Sequence, residues 1–432
     1  MRPAAQLQAT IELLDLISAT KSPADRIMAK YFREHRYIGS KDKYAISEQY
    51  YGILRQQLSF EYLLQASDIG IGARTLAALL IRQQGLSIED YFNSEKYSPK
   101  YLNLSLLTRL NNVEFESLND APEHIRLNVP EWLAPKLRAA LGDEFANVMT
   151  AMNQRASTDV RINQLITNNQ QAIDLFDKLG FYYTESILSP WGLCFSQRVA
   201  LFGLKEFRQG WFEIQDQGSQ LLALLTNVKA GDRVVDFCAG AGGKTLAMAA
   251  MMENKGVIHA CDVHTKRLDN LAKRAKRAEV HNVRVHVLSS EKDKWVKQQQ
   301  EKADVVLIDA PCTGTGTWRR SPDSRWNLQE ENLTNLVELQ QSILQSAKRL
   351  VKPGGRLLYA TCSLLNEENE QQVAKFLEVN NEFEAVDFDL PENLLTHSDK
   401  VKINGNQFRS FPALTGTDGF FVACMQRKEQ EA

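Results

Sequence analysis

The chain has 432 residues, which at about 150 residues per domain indicates two to four domains. Its composition, 44% apolar, 9% aromatic and 24% charged, excludes a disordered, collagen-like or disulfide-stapled chain. With 51 basic against 53 acidic side chains the net charge is −2, so any nucleic-acid site must be a local basic patch.

The six cysteines are widely separated, and the sequence contains neither a CxxC pair nor a His/Cys set at zinc spacing. Thiols scattered in this way are typical of a reducing compartment, where they stay free for chemistry. Glu12 and Asp15 interrupt the apolar N-terminal stretch, which argues against a signal peptide. The sequence contains no run of about 18 apolar residues, so no membrane span is expected. We therefore expect a cytoplasmic protein without a membrane segment or a bound metal.

Residues 1–127 predict a series of helices. Ile11, Leu14 and Ile17 belong to a broad apolar face, and a second segment of helical periodicity runs over 40–54. No alternating strand pattern of any length is present in this part of the sequence. We predict an all-helical domain here.

Residues 128–205 show a different pattern. Pro130 to Leu133 opens a helix, and Val160 to Asn163 has strand character. A helix over 171–179 and a short strand over 181–183 follow. Strand, helix and strand in so few residues predict a small α+β module.

Residues 206–432 alternate between strands and helices in the βαβ manner. We predict strands at 234–237, 257–262, 283–287, 305–309, 356–360 and 419–423, with helices over 244–251 and 333–350. Parallel sheets place ligands beyond the carboxyl ends of their strands. The loops after Phe237, Cys261, Ile308 and Ala360 are therefore the expected location of a site.

A glycine-rich turn, Gly240–Gly243, follows the first of these strands. Such a turn lets the backbone approach a ligand and directs a helix N-terminus at negative charge. Thr245 occupies the third glycine position of a dinucleotide motif, and Cys238 occupies the first glycine position of a phosphate-binding loop. A ligand with a carboxylate and no pyrophosphate, such as S-adenosylmethionine, suits the turn better. Asp262 at the end of the next strand is placed to accept both ribose hydroxyl protons.

Two cysteines, Cys312 and Cys362, follow closely on two strands that we expect to be neighbours. Either one alone would usually be a small buried apolar residue. Together they suit methylation of pyrimidine carbon-5, because a thiolate that adds to carbon-6 makes carbon-5 nucleophilic. A base then removes the carbon-5 proton and the thiolate leaves. Asp309 is the candidate for holding the ring nitrogen or amino group of the base.

Four segments carry a resemblance to a known family. They are Asp236-Phe237-Cys238-Ala239-Gly240-Ala241-Gly242-Gly243-Lys244-Thr245, Asp309-Ala310-Pro311-Cys312, Tyr359-Ala360-Thr361-Cys362-Ser363 and Asp418-Gly419-Phe420-Phe421. Together they resemble the Sun/Fmu family of RNA (cytosine-5) methyltransferases over about residues 128–432. The resemblance implies a Rossmann-like methyltransferase sheet, S-adenosylmethionine as cofactor, Cys362 as the nucleophile and Cys312 as an aid to product release.

The resemblance also implies which residues bind the cofactor. They are Cys238, Ala239, Gly240, Ala241, Gly242, Gly243, Lys244, Asp262, Ser289 and Asp309. Of these, Lys244 and Asp309 would also shape the catalytic site around the methionine and the base. This chain departs from the family at Ala241, where many members have proline, and at Ser289, where the family has an acid near the adenine. Glu291 and Asp293 are the alternatives for that acid.

RNA is the partner that the resemblance implies. Residues 1–127, most clearly Asp42 to Arg55, resemble the NusB-like RNA-binding domain of bacterial ribosomal members. We expect RNA contacts from Arg319, Arg320 and Arg325, which lie between two tryptophans, and from Arg161 in the small module. The target cytosine must leave its stack, because both faces of carbons 5 and 6 are needed.

Small-subunit (16S) ribosomal RNA is the expected substrate. A transfer RNA cytosine-5 methyltransferase and a non-catalytic RNA-binding ribosome-assembly factor are the alternatives. A nicotinamide-dependent dehydrogenase is disfavoured by Thr245. Arg26, Lys30 and Arg33 could also contact RNA phosphates, or could form a solvated helix face with their acidic neighbours.

Overall fold

The computed structural model describes residues 1–20, 23–390 and 401–429, which form two compact units. The first unit comprises Met1–Arg138, Gly142–Gln154 and Trp318–Leu328. The second comprises Ala139–Leu141, Arg155–Thr317 and Gln329–Ala432. The domain borders expected at 127 and 205 differ from this division, because helices continue beyond residue 127 and because residues 318–328 belong to the first unit.

The first unit is helical throughout its described residues. Its helices are α1 Pro3–Ser18, α2 Ala24–Glu34, α3 Ser40–Arg55, α4 Gln57–Ala66, α5 Ala73–Gln83, α6 Ile88–Tyr91, α7 Leu104–Asn111, α8 Glu123–Arg126, α9 Ala134–Leu141 (its last three residues fall in the second unit) and α10 Phe145–Met152. Leu7, Leu13, Ile46 and Leu80 belong to its buried core. The apolar faces predicted from helical periodicity pack together here, as amphipathic helices must to bury them.

A distant piece of sequence completes this unit. Within residues 318–328, Pro322–Asn327 forms a short helix; we label it α17 in chain order. The Trp326 indole N–H donates to the Leu54 carbonyl over 2.9 Å, and Arg55 Nη2 donates to the Arg319 carbonyl over 3.0 Å. No sequence pattern indicated that this segment joins the helical unit, because the contacts span more than 260 positions of the chain.

The second unit begins with a small antiparallel sheet. Its strands are β1 Thr158–Ile162, β2 Thr184–Glu185, β3 Gly192–Phe195 and β4 Phe212–Ile214, in the order β2-β3-β1-β4. Helix α11, Asn169–Lys178, places Phe176 in a buried cluster with Phe195 and Phe212. The α+β module is confirmed, but its second strand lies at 184–185 rather than 181–183, and β4 lies beyond residue 205.

A nine-stranded sheet forms the rest of the second unit. Its strands are β5 Arg233–Asp236, β6 Val257–Asp262, β7 Val283–Val287, β8 Ala303–Asp309, β9 Val351–Thr361, β10 Phe383–Ala385, β11 Lys402–Asn404, β12 Gln407–Ser410 and β13 Phe420–Arg427. The order is β11-β12-β13-β9-β8-β5-β6-β7, and β10 pairs with β13. Strands β5 to β9 are parallel where they pair, and β13 runs antiparallel to β9. The Rossmann-like fold class is thereby confirmed.

Helices accompany this sheet. They are α12 Lys205–Arg208, α13 Gln217–Leu224, α14 Gly243–Met251, α15 Thr265–Arg277, α16 Lys294–Gln298, α18 Glu330–Ala347, α19 Glu370–Val379 and α20 Pro412–Thr415. Two buried clusters include residues of the strands and of these helices, one with Leu246 and Leu271, the other with Ile343 and Phe376. Helix α18 ends at Ala347 and β9 begins at Val351, so Pro353 lies within the strand rather than between helix and strand.

Two absences concern the described residues only. None of their helices is both long and apolar enough to cross a membrane. In residues 1–20, 23–390 and 401–429, no group of three or more His, Cys, Asp or Glu side chains is arranged to hold a metal ion. Two histidines lie close together, with His259 Nδ1 2.9 Å from His286 Nε2 beside the ring of Trp295.

Candidate active site

One cavity of about 490 Å³ lies at the carboxyl ends of β5, β6, β8 and β9. Because these four strands are adjacent in the order β9-β8-β5-β6, the segments that follow them meet at one edge of the sheet. Many of the lining residues come from the glycine turn, from the ends of β6 and β8, and from the two cysteine loops: Cys238, Ala239, Gly240, Ala241, Gly243, Lys244, Asp262, Asp309, Cys312 and Cys362. The size suits a nucleoside-sized ligand.

The glycine turn is held in place by backbone contacts. The Ala239 N–H donates to the Cys261 carbonyl over 2.9 Å, which ties the turn to β6. Gly242 has a φ of +85° and precedes α14, and an added Cβ would lie 2.4 Å from Leu271 Cγ. Gly242 therefore serves helix packing, while Gly240 and Gly243 line the cavity. An added Cβ at Gly240 would meet no atom within 4 Å, so the missing side chain leaves room for a ligand.

Asp262 lies at the end of β6 and lines the cavity. Its Oδ2 accepts a hydrogen bond from the Gly240 N–H over 2.9 Å, and its Oδ1 accepts one from the His264 N–H over 2.7 Å. These two bonds fix the plane of the carboxylate, and each oxygen keeps a lone pair for another donor. The geometry fits the expected binding of two ribose hydroxyls.

After β7, the residue placed to act as the acid of the cavity is Glu291, and the expected position, Ser289, lies outside the cavity. Ser289 does not line the cavity: its N–H and hydroxyl both donate to Asp293 Oδ2, over 2.9 and 2.7 Å. Asp293 also accepts from the Trp295 N–H at the start of α16, and these hydrogen bonds lower its pKa to about 2. Glu291 lines the cavity beside Leu288 and Ile343, and its Oε1 accepts from the Ser342 hydroxyl over 2.7 Å. Of the residues expected near the adenine, Glu291 therefore lines the cavity and Ser289 does not.

Replacing Glu291 by alanine is expected to weaken the binding of S-adenosylhomocysteine by about tenfold or more, because a hydrogen bond to a charged group is worth about 1.5–3 kcal/mol. Titration calorimetry measures this without RNA or turnover. The control is Ser289→Ala, which removes a hydroxyl that faces Asp293 and should leave the affinity unchanged. Equal affinities of the two variants would contradict this assignment.

Lys244 and Asp309 form an ion pair inside the cavity. Lys244 Nζ lies 2.6 Å from Asp309 Oδ2, and the lysine side chain is only 10% exposed. Burial alone would lower the pKa of Lys244, but the Asp309 carboxylate more than offsets burial, so the pKa is raised. The lysine therefore stays charged and holds the Asp309 carboxylate at the end of β8, where the Cys312 loop begins.

The two predicted cysteines meet in this cavity. Cys312 Sγ and Cys362 Sγ are 3.4 Å apart, and both side chains are half-buried rather than sealed. The hydrogen bond to Cys362 and then burial raise the pKa of Cys312 well above that of a free thiol. Cys312 thus holds its proton firmly and can share it with the Cys362 sulfur. The loop that follows Cys312 is fixed by the Gly316 N–H, which donates to the Cys362 carbonyl over 2.9 Å.

A third thiol, Cys238, also lines the cavity. Burial first, and then the negative charge of Asp309, Asp236 and Asp262, raise the pKa of Cys238 well above the ordinary value. Because the thiolate is the reactive form, Cys238 is unsuited to be a nucleophile.

Three of the four arginines expected to contact RNA are buried. Arg161 donates from Nε to Gln215 Oε1 over 2.8 Å inside the second unit, and burial lowers its pKa to about 10. Arg325 is fully buried in the first unit, and the side chain of Arg319 is 6% exposed. Arg320 is exposed. Burial thus disfavours the expected phosphate contacts of Arg161, Arg319 and Arg325, whereas Arg320 is placed to make one.

Arg325 has a structural role instead. Its Nη1 donates to the Asn128 carbonyl over 2.6 Å and to Asn153 Oδ1 over 2.7 Å, and its guanidinium lies 4.4 Å from the Trp318 ring centre. Burial, and then the nearby charge of Arg55, lower its pKa to about 9. Sequence could not show this, because the partners lie 197 and 172 positions away.

Replacing Arg325 by alanine is expected to lower the free energy of unfolding by about 3 kcal/mol, because a buried and a half-buried oxygen lose their donor and the stacking on Trp318 is removed. Urea denaturation followed by tryptophan fluorescence measures the change. Arg320→Ala, which removes an exposed side chain, should change stability by less than about 0.5 kcal/mol. A stable Arg325→Ala protein with weakened RNA affinity would reverse the assignment.

The cavity fits S-adenosylmethionine on the residues present. Leu288, Pro311 and Ile343 supply apolar walls for an adenine, and Asp262 supplies the ribose acceptor. Asp236 lines the cavity with a buried Oδ1 that has no hydrogen-bond partner, while its Oδ2 accepts from the Thr245 hydroxyl over 2.6 Å. Burial raises the pKa of Asp236 to about 7. Its vacant oxygen suits the ammonium group of a methionine.

Several lining residues were not anticipated from the sequence. Leu339 and Ile343 come from α18, whose apolar pattern predicted only a packed helix. Arg267 on α15 and His264 before it also line the cavity, and no motif had marked them. Sequence position could have indicated Arg267 and His264, because both lie within five residues after Asp262, at the carboxyl end of β6.

Comparisons with known proteins agree with this geometry. Residues 223–426 match the family model "16S rRNA methyltransferase RsmB/F", and residues 129–201 match the model of the RsmF/B-like ferredoxin-like domain. A relative from Synechocystis, a probable ribosomal RNA small subunit methyltransferase B, is 28% identical over 95% of this chain and 96% of its own length. The ribosomal RNA small subunit methyltransferase B of Pasteurella multocida is 33% identical over 69% of this chain and 65% of its own.

Solved structures give the same result. The crystal structure of PH0851 superposes with a TM-score of 0.77 at 26% identity, covering 99% of each chain. A methyltransferase homologue from Pyrococcus horikoshii superposes with a TM-score of 0.61 at 28% identity, covering 72% of this chain and 99% of the other. The catalytic segment and the small module both match the 16S rRNA methyltransferase RsmB/F family, and the chain is an S-adenosylmethionine-dependent RNA methyltransferase.

Proposed function

We propose that this chain methylates carbon-5 of a cytosine in small-subunit (16S) ribosomal RNA through a covalent adduct between Cys362 and carbon-6. The observation that carries the proposal is the 3.4 Å separation of the Cys312 and Cys362 sulfurs in one cavity, beside the Lys244–Asp309 ion pair. The names of the Synechocystis and Pasteurella relatives support ribosomal RNA as the substrate. Such a substrate implies a cytoplasmic location.

Cys362 is the proposed nucleophile. Its sulfur lies beside the Cys312 thiol, which can donate a hydrogen bond and so stabilise negative charge on Cys362. The thiolate adds to carbon-6 of the cytosine, and the electron pair of the C5–C6 double bond makes carbon-5 nucleophilic. Asp309, held by Lys244, accepts a hydrogen bond from the amino group of the base, and the Lys244 ammonium beside it offsets the negative charge that builds up in the ring.

The glycine turn, Asp262, Glu291 and Asp236 would hold the cofactor, as their positions in the cavity indicate. When bound, S-adenosylmethionine supplies an electrophilic methyl group. The chain's own part is to align carbon-5 with that group and to keep bulk water away from the adduct.

Cys312 is the proposed base of the second half of the reaction. Once Cys362 is bonded to carbon-6, it no longer carries the charge or accepts the hydrogen bond that raise the pKa of Cys312. Cys312 can then ionise and take the proton from carbon-5. The C–H electrons re-form the C5–C6 double bond, the bond between sulfur and carbon-6 breaks, and Cys362 leaves as a thiolate.

RNA binding is proposed for residues outside the cavity. On α2 the exposed side chains of Arg26, Lys30 and Arg33 follow one another at spacings of four and three, which places them on one helix face. We propose that the 1–127 helical region, the 128–205 module and the exposed Arg320 contact RNA phosphates around a flipped cytosine. The 206–432 region carries the chemistry.

The test uses purified protein, labelled S-adenosylmethionine, and RNA from a strain that lacks the gene. Small-subunit ribosomal RNA and transfer RNA are offered separately, digested to nucleosides and analysed by mass spectrometry, and bisulfite sequencing locates the mark. We expect 5-methylcytidine at a cytosine of the small-subunit RNA. A methyl group on another atom would overturn the carbon-5 assignment. Labelling of transfer RNA alone would show that transfer RNA, not small-subunit ribosomal RNA, is the substrate.

A further inference from the structure

A buried carboxyl group lies beneath the loop that carries Cys312. Glu368 follows β9 in the short turn Asn366–Glu368 and has no exposed surface. Its Oε1 accepts from the Thr313 N–H and from Gln340 Nε2, both over 2.9 Å. Its Oε2 accepts from the Thr313 hydroxyl over 2.5 Å. Glu368 does not line the cavity, so it cannot contact the cofactor or the base there.

These contacts hold the backbone on both sides of Cys312. Thr313 follows the cysteine and donates twice to Glu368. Gln340 on α18 donates to Glu368 and also to the carbonyl of Pro311, which precedes the cysteine, over 2.9 Å. The Glu368 carbonyl in turn accepts from the Tyr359 hydroxyl on β9 over 2.7 Å. One carboxylate and one amide therefore tie the Cys312 loop to α18 and to β9, the strand that Cys362 follows.

The charge of Glu368 also reaches Cys312. Burial raises the pKa of Glu368, although hydrogen bonds from Ser363, Thr313 and Gln340 oppose the rise. Both carboxyl oxygens act only as acceptors, and their donors are neutral, which is the hydrogen-bond pattern of an ionised carboxylate that keeps its charge. After the hydrogen bond to Cys362, burial and the charge of Cys362, the charge of Glu368 is a further cause of the raised pKa of Cys312. Unlike the contributions of Cys362, the charge of Glu368 still raises the pKa of Cys312 after the Cys362 sulfur has bonded to carbon-6.

We infer that Glu368 is a positioning residue for methyl transfer. It fixes the loop of Cys312 and, through its negative charge, makes Cys312 the sulfur that holds its proton in the resting enzyme and the stronger base once the adduct has formed. The inference concerns the release half of the proposed function and rests on it for that role. The thiol chemistry of Cys312 can be measured without RNA or cofactor, so the role of Glu368 and the proposed function can be refuted independently of each other.

The first measurement is the pH dependence of Cys312 alkylation by iodoacetamide. It is made in a Cys362→Ala chain, and mass spectrometry of the Cys312 peptide separates this thiol from the others. Adding Glu368→Gln, which keeps the shape but removes the charge, is expected to lower the alkylation midpoint by about one pH unit. Adding Glu367→Gln, which removes an equal charge one position away, should leave the midpoint in place. An unchanged midpoint in the Glu368→Gln protein overturns the electrostatic role.

The second measurement is the release of methylated RNA, followed as decay of the covalent enzyme–RNA band on a denaturing gel. In the chain with Cys362 present, Glu368→Gln is expected to slow release by about tenfold. Glu368→Asp keeps the charge but shortens the reach to Thr313, so it should keep the alkylation midpoint and still slow release. If Glu368→Gln does not fold, Glu368→Asp alone decides, and an unchanged release rate in that variant overturns the positioning role.

Discussion

Replacing Cys362 by alanine is expected to abolish methyl transfer, with a loss of at least about a thousandfold in rate. Carbon-5 of a cytosine is too weak a nucleophile to react without addition at carbon-6, and the Cys362 sulfur lies in the cavity beside Asp309 to make that addition. Transfer of label from S-adenosylmethionine to RNA, together with the loss of any covalent RNA band, measures the effect.

The matched control is Cys194→Ala. Cys194 is also a free cysteine, but it is buried on β3 of the small sheet and does not line the cavity. Its removal should cost little activity, and S-adenosylhomocysteine should bind both variants as it binds the parent chain. If Cys362→Ala still methylates at a rate near that of the parent, Cys362 is not the nucleophile and the covalent mechanism fails.

Replacing Cys312 by alanine is expected to give the opposite result, an enzyme that transfers once and then stays bonded to its RNA. The nucleophile is intact, so the adduct forms and carbon-5 is methylated. Without the Cys312 sulfur, which lies 3.4 Å from that of Cys362, no thiolate is in place to take the carbon-5 proton. Turnover should fall by at least about a hundredfold, which is the usual contribution of a positioned base.

The adduct is detected as a slow band on a denaturing gel, and about one methyl group per enzyme should be incorporated. The double variant Cys312→Ala/Cys362→Ala provides the control, because it cannot form the bond and should show no such band. Normal turnover by Cys312→Ala would refute the division of roles between the two cysteines.

The catalytic centre could be predicted from the sequence for a physical reason. The apolar runs that end at Asp309 and Thr361 define two buried strands, and parallel neighbours in a sheet bring their carboxyl ends together. Position in the chain thereby determined that Cys312 and Cys362 meet. The glycine turn and Asp262 were predictable in the same way, since the hydrogen bond between them joins adjacent strand ends.

Which of the arginines are exposed to solvent could not be predicted in this way. Arg319, Arg320 and Arg325 have the same local signature of cations between two tryptophans, yet only Arg320 is exposed. Burial of a charged side chain depends on distant partners, and those of Arg325 are Asn128 and Asn153. The position of Glu291 in the cavity likewise involves a residue far along the chain, because its carboxylate accepts a hydrogen bond from a hydroxyl on α18.

The sequence by itself thus determined which strand ends lie together, that the two thiols meet there and the class of cofactor, because each follows from residues within one strand and the loop after it. Only the tertiary structure decided which charged groups face solvent, which acid reaches the cavity and which carboxylate lies under Cys312. Those properties depend on hydrogen bonds and burial between residues far apart in the chain, and local pattern carries no information about them.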